Sequence, residues 1–82
     1  MFNKVIEVKP LTNYQLAVLF LSGEKRLYDV KPLLNKWESF KALSQTDSLF
    51  QQVKVDQGGY GISWNDDIDL ACDELYYFGV PI

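Results

Sequence analysis

Apolar and polar positions fall in short blocks along this chain, each closed by Gly, Pro, Asn, Asp or Ser. The first block, Lys4–Lys9 (KVIEVK), concentrates β-branched Val5, Ile6 and Val8, and Pro10 stops its ladder, so a strand is predicted. Leu11-Thr12-Asn13 reads as a short turn. Tyr14–Leu21 (YQLAVLFL) is apolar on both faces after Gln15. That is the pattern of a fully covered central strand or of a buried helix segment. Its length, its Val and Phe content and the Ser22-Gly23 that follows favour a strand. Ser22-Gly23 is a hairpin signal, with glycine supplying positive φ. Glu24–Val30 is the return strand, with Lys25, Leu27 and Asp29 on one face and Arg26, Tyr28 and Val30 on the other. Three strands with short turns make an antiparallel meander.

The period then changes. Pro32 suits the first turn of a short helix, PLLN, where its missing N–H costs nothing. In Lys36–Ser44, Trp37, Phe40 and Leu43 recur at every third position, a helical spacing, with Glu38 or Ser39 as its start. Thr46-Asp47 reads as a cap for a single turn through Leu49, Phe50 and Gln51. The polar stretch between favours two short helices over one long one. Trp37, Phe40, Leu43, Leu49 and Phe50 are all read as core. Gln52–Asp56 alternates, Gly58-Gly59 turns the chain, and Tyr60–Trp64 returns with Ile62 and Trp64 in phase. Asn65–Asp69 reads as a loop. A closing helix is predicted over Cys72–Phe78, with Asp73 and Glu74 in the first turn, where acids complement the helix dipole. Gly79 is expected as a left-handed C-cap, and Pro81 forbids continuation.

The expected fold is therefore a single α+β domain over residues 1–82, in the order β-β-β-α-β-β-α. It combines a three-stranded meander, short helices, a β-hairpin and a C-terminal helix, all packed on one sheet. Composition sharpens this picture in one respect. Apolar residues make up 48% of the chain and aromatics 15%, which argues against disorder and hints at surface buried against a partner or a second copy. Charge is unevenly spread. Residues 1–55 hold all eight Lys and Arg against five acids, and residues 56–82 hold six acids and no base. The halves either complement each other within the fold or steer a charged partner. Nucleic acid is not favoured as a partner for a chain of net charge −3, although Lys25, Arg26 and Lys31 could form a local basic face. The N-terminus has no apolar core of signal-peptide length, and the longest apolar run, Leu16–Leu21, is too short to span a bilayer. One cysteine, Cys72, suits a reducing compartment, so a soluble cytoplasmic protein is expected.

Candidate chemistry is sparse. With no histidine, the commonest base, the Ser-His and Cys-His pairs and the commonest metal ligand are missing. Cys72 sits at a helix start that favours a thiolate, but Asp69, Asp73 and Glu74 oppose it. The aspartates at 66, 67 and 69 do not fit a calcium loop. In the register starting at Asn65 the glycine position holds Leu70 and the closing glutamate position Tyr76. Gly58-Gly59-Tyr60-Gly61 lacks the helix N-terminus of a phosphate site. No catalytic, metal or cofactor residue is assigned; a small carboxylate-dependent hydrolase is the third-ranked reading, after nucleic-acid binding. The candidate interaction residues are Trp64, Asn65, Asp66 and Asp67, where Trp64 is expected to be partly exposed beside an acidic loop.

Two long segments carry a resemblance. LAVLFLSGEKRLYDVKPLL pairs a strand and a Ser-Gly hairpin with a strand ending in Asp and a hydrophobic residue, then Pro-Leu-Leu. SLFQQVKVDQGGYGISWNDDIDLACDELY carries Leu-Phe-x-x-Val-x-Val-Asp, a glycine turn, Trp, Asp-Leu and Leu-Tyr. Together they resemble the bacterial domain of unknown function 2442, from about Val5 to Phe78. The departure is Trp64-Asn65-Asp66-Asp67, where members often have Trp-Pro-Asn-Gly. The resemblance implies a small α+β domain, often encoded beside another small domain of unknown function (4160) in a toxin–antitoxin-like pair. It implies no catalytic residues. The functional expectation is a non-enzymatic interaction module, the antitoxin-like member of such a pair, whose partner is another small protein or a second copy.

Overall fold

The computed structural model describes residues 3–82, so Met1 and Phe2 of the N-terminal reading lie outside the described residues. The fold is α+β, with antiparallel strands, short helices and a closing helix. The strands divide between two sheets where one was expected. The first sheet contains β1 (Val5–Pro10), β2 (Gln15–Phe20) and β3 (Lys25–Asp29), the expected meander, joined by the two-residue β7 (Val80–Pro81) in the order β1-β2-β3-β7. The second contains β4 (Lys54–Val55), β5 (Gly61–Asn65) and β6 (Ile68–Ala71) in sequence order. Of the predicted loop Asn65–Asp69, β5 takes Asn65 and β6 takes Ile68 and Asp69, leaving Asp66-Asp67 as the turn. In β6, Ile68 and Leu70 are buried while Asp69 and Ala71 face out, a period of two that a run of three nearby aspartates conceals.

Pro10 does belong to β1. It stands at the end of an edge strand, where a missing N–H leaves no ladder partner orphaned. A bulge interrupts the same strand: Val5 pairs with Phe20, but Glu7 pairs with Leu19. The extra residue, Ile6, shifts the alternation, so Glu7 leaves the face that Val5 occupies and Val8 returns to it.

The helical segments are short. Helix α1 spans Lys31–Leu34 with Pro32 in its first turn; a 3₁₀ turn at Glu38–Lys41 runs into α2 (Ala42–Gln45); a second 3₁₀ turn covers Phe50–Gln52. The turn before it is closed by backbone, Leu49 N–H donating to the Thr46 carbonyl, rather than by the expected Thr46-Asp47 side-chain cap. Helix α3 occupies Cys72–Phe78 as predicted. Gly79 is not left-handed: its φ is −79°. Glycine is needed there for room, because a Cβ would lie 2.5 Å from the Leu75 carbonyl and 3.0 Å from the Arg26 Cβ. Gly59 does use positive φ (79°), and its Cβ would strike the Val5 carbonyl at 2.6 Å, which ties the glycine turn closely to β1.

One core joins all of these elements. The inner face of the first sheet contributes Val5, Leu16, Val18, Phe20 and Tyr28, and the second sheet Ile62, Trp64, Ile68 and Leu70. Leu33, Phe40, Leu43 and Phe50 come from the helical turns, and Cys72 and Leu75 from α3. Arg26 locks the closing helix onto the first sheet. Its Nη1 donates to the carbonyls of Tyr76 (2.7 Å) and Gly79 (3.2 Å), and its Nε donates to Glu24 at 2.7 Å. The guanidinium stacks on Tyr76 at 4.0 Å, and the Tyr76 hydroxyl donates to Glu24 at 3.0 Å. A cation thus meets the negative end of α3, whose last carbonyls have no partner within the helix.

Candidate interaction surface

The two tryptophans exchange the places expected of them. Trp64 is only 4% exposed, and its indole N–H donates to the Phe50 carbonyl at 2.9 Å. Its ring stacks on Phe50 (5.9 Å) and meets Phe40 edge-on (6.0 Å). The expectation of a partly exposed Trp64 is corrected. It sits on the inner side of β5, in phase with Ile62, and the described fold closes over it. Trp37, read as core, is 42% exposed. Its backbone is extended (φ −120°, ψ 135°) and precedes the 3₁₀ turn, so the three-residue spacing to Phe40 does not describe one helical face. Its ring packs against Phe40 from outside and lies 5.1 Å from the Lys36 ammonium.

Asn65, Asp66 and Asp67 form the exposed tip of the β5–β6 hairpin. The Asn65 side chain accepts the Asp67 N–H at 2.8 Å, so it shapes the turn that members of the resembling family often build with Pro and Gly. Asn65 and Asp67 also line an open groove of about 560 Å³ with Glu38, Ser39, Ala42, Gln45 and Ile68. Lys41 lies 2.8 Å from Glu38 and lowers its carboxyl pKa. Among the described residues, no three Cys, Asp or Glu side chains gather as a metal site.

Cys72 and Tyr28 are held by packing and hydrogen bonds. Burial, reinforced by neighbouring Asp73, raises the Cys72 pKa and keeps the thiol protonated. The Tyr28 hydroxyl is buried and donates to Glu74 at 2.8 Å, and both effects raise its pKa. These contacts bridge the basic and acidic halves: Arg26 and Tyr28 come from the first, the α3 carbonyls and Glu74 from the second. A cavity of about 360 Å³ lies between the Thr12–Tyr14 turn and residues 43–51. Asn13, Tyr14 and Ser48, the non-glycine residues with positive φ among those described, all line it. Its rim is polar and exposed, and its floor is Tyr14, Leu43 and Phe50.

The least expected surface is the outer face of the first sheet. Because Leu16, Val18 and Phe20 point into the core, Ala17 and Leu19 point away from it. Register then defines two cross-strand rows on that face, Glu7–Leu19–Lys25 and Lys9–Ala17–Leu27–Val80. Gln15 and Asp29 pair one step further along. Glu7, Lys9, Ala17, Leu19 and Lys25 surround a shallow depression of about 220 Å³. Val80 is exposed, as are Leu21 and Ile82 nearby in sequence. Among the described residues, no helix covers this face: α1, α2 and α3 all contribute to the core on the other side.

With this geometry, residues 5–81 match the family described as "Protein of unknown function (DUF2442)". The chain belongs to the DUF2442 family. Among curated proteins and among solved structures nothing matches it. The match spans both sheets and α3, so the open face, the hairpin tip and the Arg26 clamp are all parts of the DUF2442 domain. The family description assigns no residue a role. No helix among the described residues is long and apolar enough to cross a membrane.

Proposed function

We propose that this DUF2442 chain is a non-enzymatic protein-interaction module that works through the open face of its first sheet. The observation that carries this reading is the face itself. Leu19, Leu27, Ala17 and Val80 form a contiguous apolar stripe on a side of the sheet that no described element covers, Val80 exposed and the other three half-buried. Apolar patches rimmed by charge mark protein contact sites. The charges on the face are balanced, Lys9 and Lys25 against Glu7 and Asp29, which suits a protein surface better than a polyphosphate. Arg26, one of three side chains that a basic nucleic-acid face would need, is engaged with Glu24 and α3.

The antitoxin-like role is the finer form of the same reading: the neighbouring gene's product would be the protein neutralised. Pull-down from the producing cell with mass spectrometry, run on wild type and Leu19→Glu, tests the module. A protein recovered in stoichiometric amount by wild type and lost by L19E supports it. Equal recovery by both, or no recovered protein together with a monomeric chain, overturns it.

A further inference from the structure

We infer that the open face of the first sheet is the interface of a homodimer, two copies stacking face to face about a two-fold axis that runs along β2. This rests on the reading of that face as a protein contact surface and names its occupant. The argument is charge complementarity under symmetry. A two-fold axis along β2 lays β1 of one copy over β3 of the other and β2 over β2. The first row then places Glu7 opposite the partner copy's Lys25, twice, with Leu19 on Leu19 between the two ion pairs. In the second row Ala17 meets Ala17, and the aliphatic stem of Lys9 covers Leu27, with Asp29 one row away from the ammonium.

The alternative in-plane axis, perpendicular to the strands, sets Lys9 on Lys9 and Leu19 on Gln15, although it joins Lys25 to Asp29. It therefore stacks Lys9 on Lys9 and puts an amide over Leu19, although Ala17 and Leu27 still meet their own copies. Within one copy Glu7 and Lys25 stand two strands apart, about 9–10 Å, with Leu19 between them. Among the described residues neither forms an ion pair. The bulge at Ile6 gains a purpose here, since it is what sends Glu7 to the open face.

Size sets the expected strength. Three strands about 4.8 Å apart and about five residues long, with the two-residue β7 at their edge, give a face near 250 Å² in projection. Even with the rim this is the size of a weak, transient contact, so dissociation toward the millimolar end of the range is expected.

The test is sedimentation equilibrium of the whole chain from about 1 μM to 1 mM, with far-UV circular dichroism to verify folding. The wild-type mass should rise from 9.5 kDa toward twice that value with concentration. Lys25→Glu and Glu7→Lys should each weaken association at least tenfold, and the double variant E7K/K25E should restore it. Leu19→Glu should remain monomeric. A wild type that stays monomeric throughout overturns the dimer, as does rescue of K25E by Asp29→Lys in place of E7K. If the wild type is monomeric yet L19E loses a pulled-down protein, the dimer falls while the interaction module stands. If it is monomeric and L19E loses nothing, both fall.

Discussion

The two faces of the first sheet are built from the same strands with opposite outcomes. On the inner face Leu16, Val18, Phe20 and Tyr28 are sealed by the second sheet and by the helical turns. On the outer face Ala17, Leu19 and Leu27 are also apolar but stop half-buried. Their difference lies in what the rest of the chain supplies as cover, not in the strands' own residues. Among the described residues, the second sheet and the helices all pack on one side. A sheet apolar on both sides but covered on one is the feature on which the proposed interaction rests.

The largest break in that comparison is Phe20→Ala. It should cost about 3–5 kcal/mol in urea unfolding, through lost burial and the cavity left under Tyr76. The neighbouring Leu19→Ala, measured below the dimerisation range, should cost less than about 1 kcal/mol. Equal costs would mean that the faces are not different.

Next is Arg26→Met, which keeps the stem but removes the donors to Tyr76 and Gly79 and the partner of Glu24. A loss of about 2–3 kcal/mol is expected, with amide exchange accelerated first at the end of α3. Tyr28 and Cys72 add a pH dependence in alkali. Tyr28 and Cys72 both have folded-state pKa values above their ordinary ones. Both are protonated in folded and unfolded chains at neutral pH, so their contribution is fully present there. Stability should fall as pH rises past about 8.5, where the unfolded thiol ionises, and more steeply past about 10, where the unfolded phenol does. Tyr28→Phe should remove the steeper part of the fall in a pH series of melting temperatures. The smallest effect is Asn65→Ala, which removes the side-chain acceptor of the hairpin tip and should cost about 0.5–1 kcal/mol. It should leave self-association unchanged, since that tip belongs to the second sheet.

Much of this architecture is legible in the chain. The meander, the Ser22-Gly23 hairpin, the glycine turn and the closing helix over Cys72–Phe78 follow from local pattern, because turns and caps depend on residues a few positions apart. Strand β6 carried a usable signal in the alternation of Ile68 and Leu70, masked by Asp66, Asp67 and Asp69, which read as loop. The candidate corner was legible only in part. Asn65, Asp66 and Asp67 are exposed, but Trp64 beneath them is not.

By itself, then, the sequence determined the class of domain, most of its strands in order, the position of α3 and the absence of histidine. The tertiary structure alone decided which tryptophan is buried, that the strands split into two sheets, that Arg26 is used up at the end of α3, and which face of β2 meets water. Periodicity divides a strand's side chains into two faces but carries no information on which face is covered. That choice depends on segments tens of residues away, and in β2, apolar on both sides, the chain's own pattern left it open.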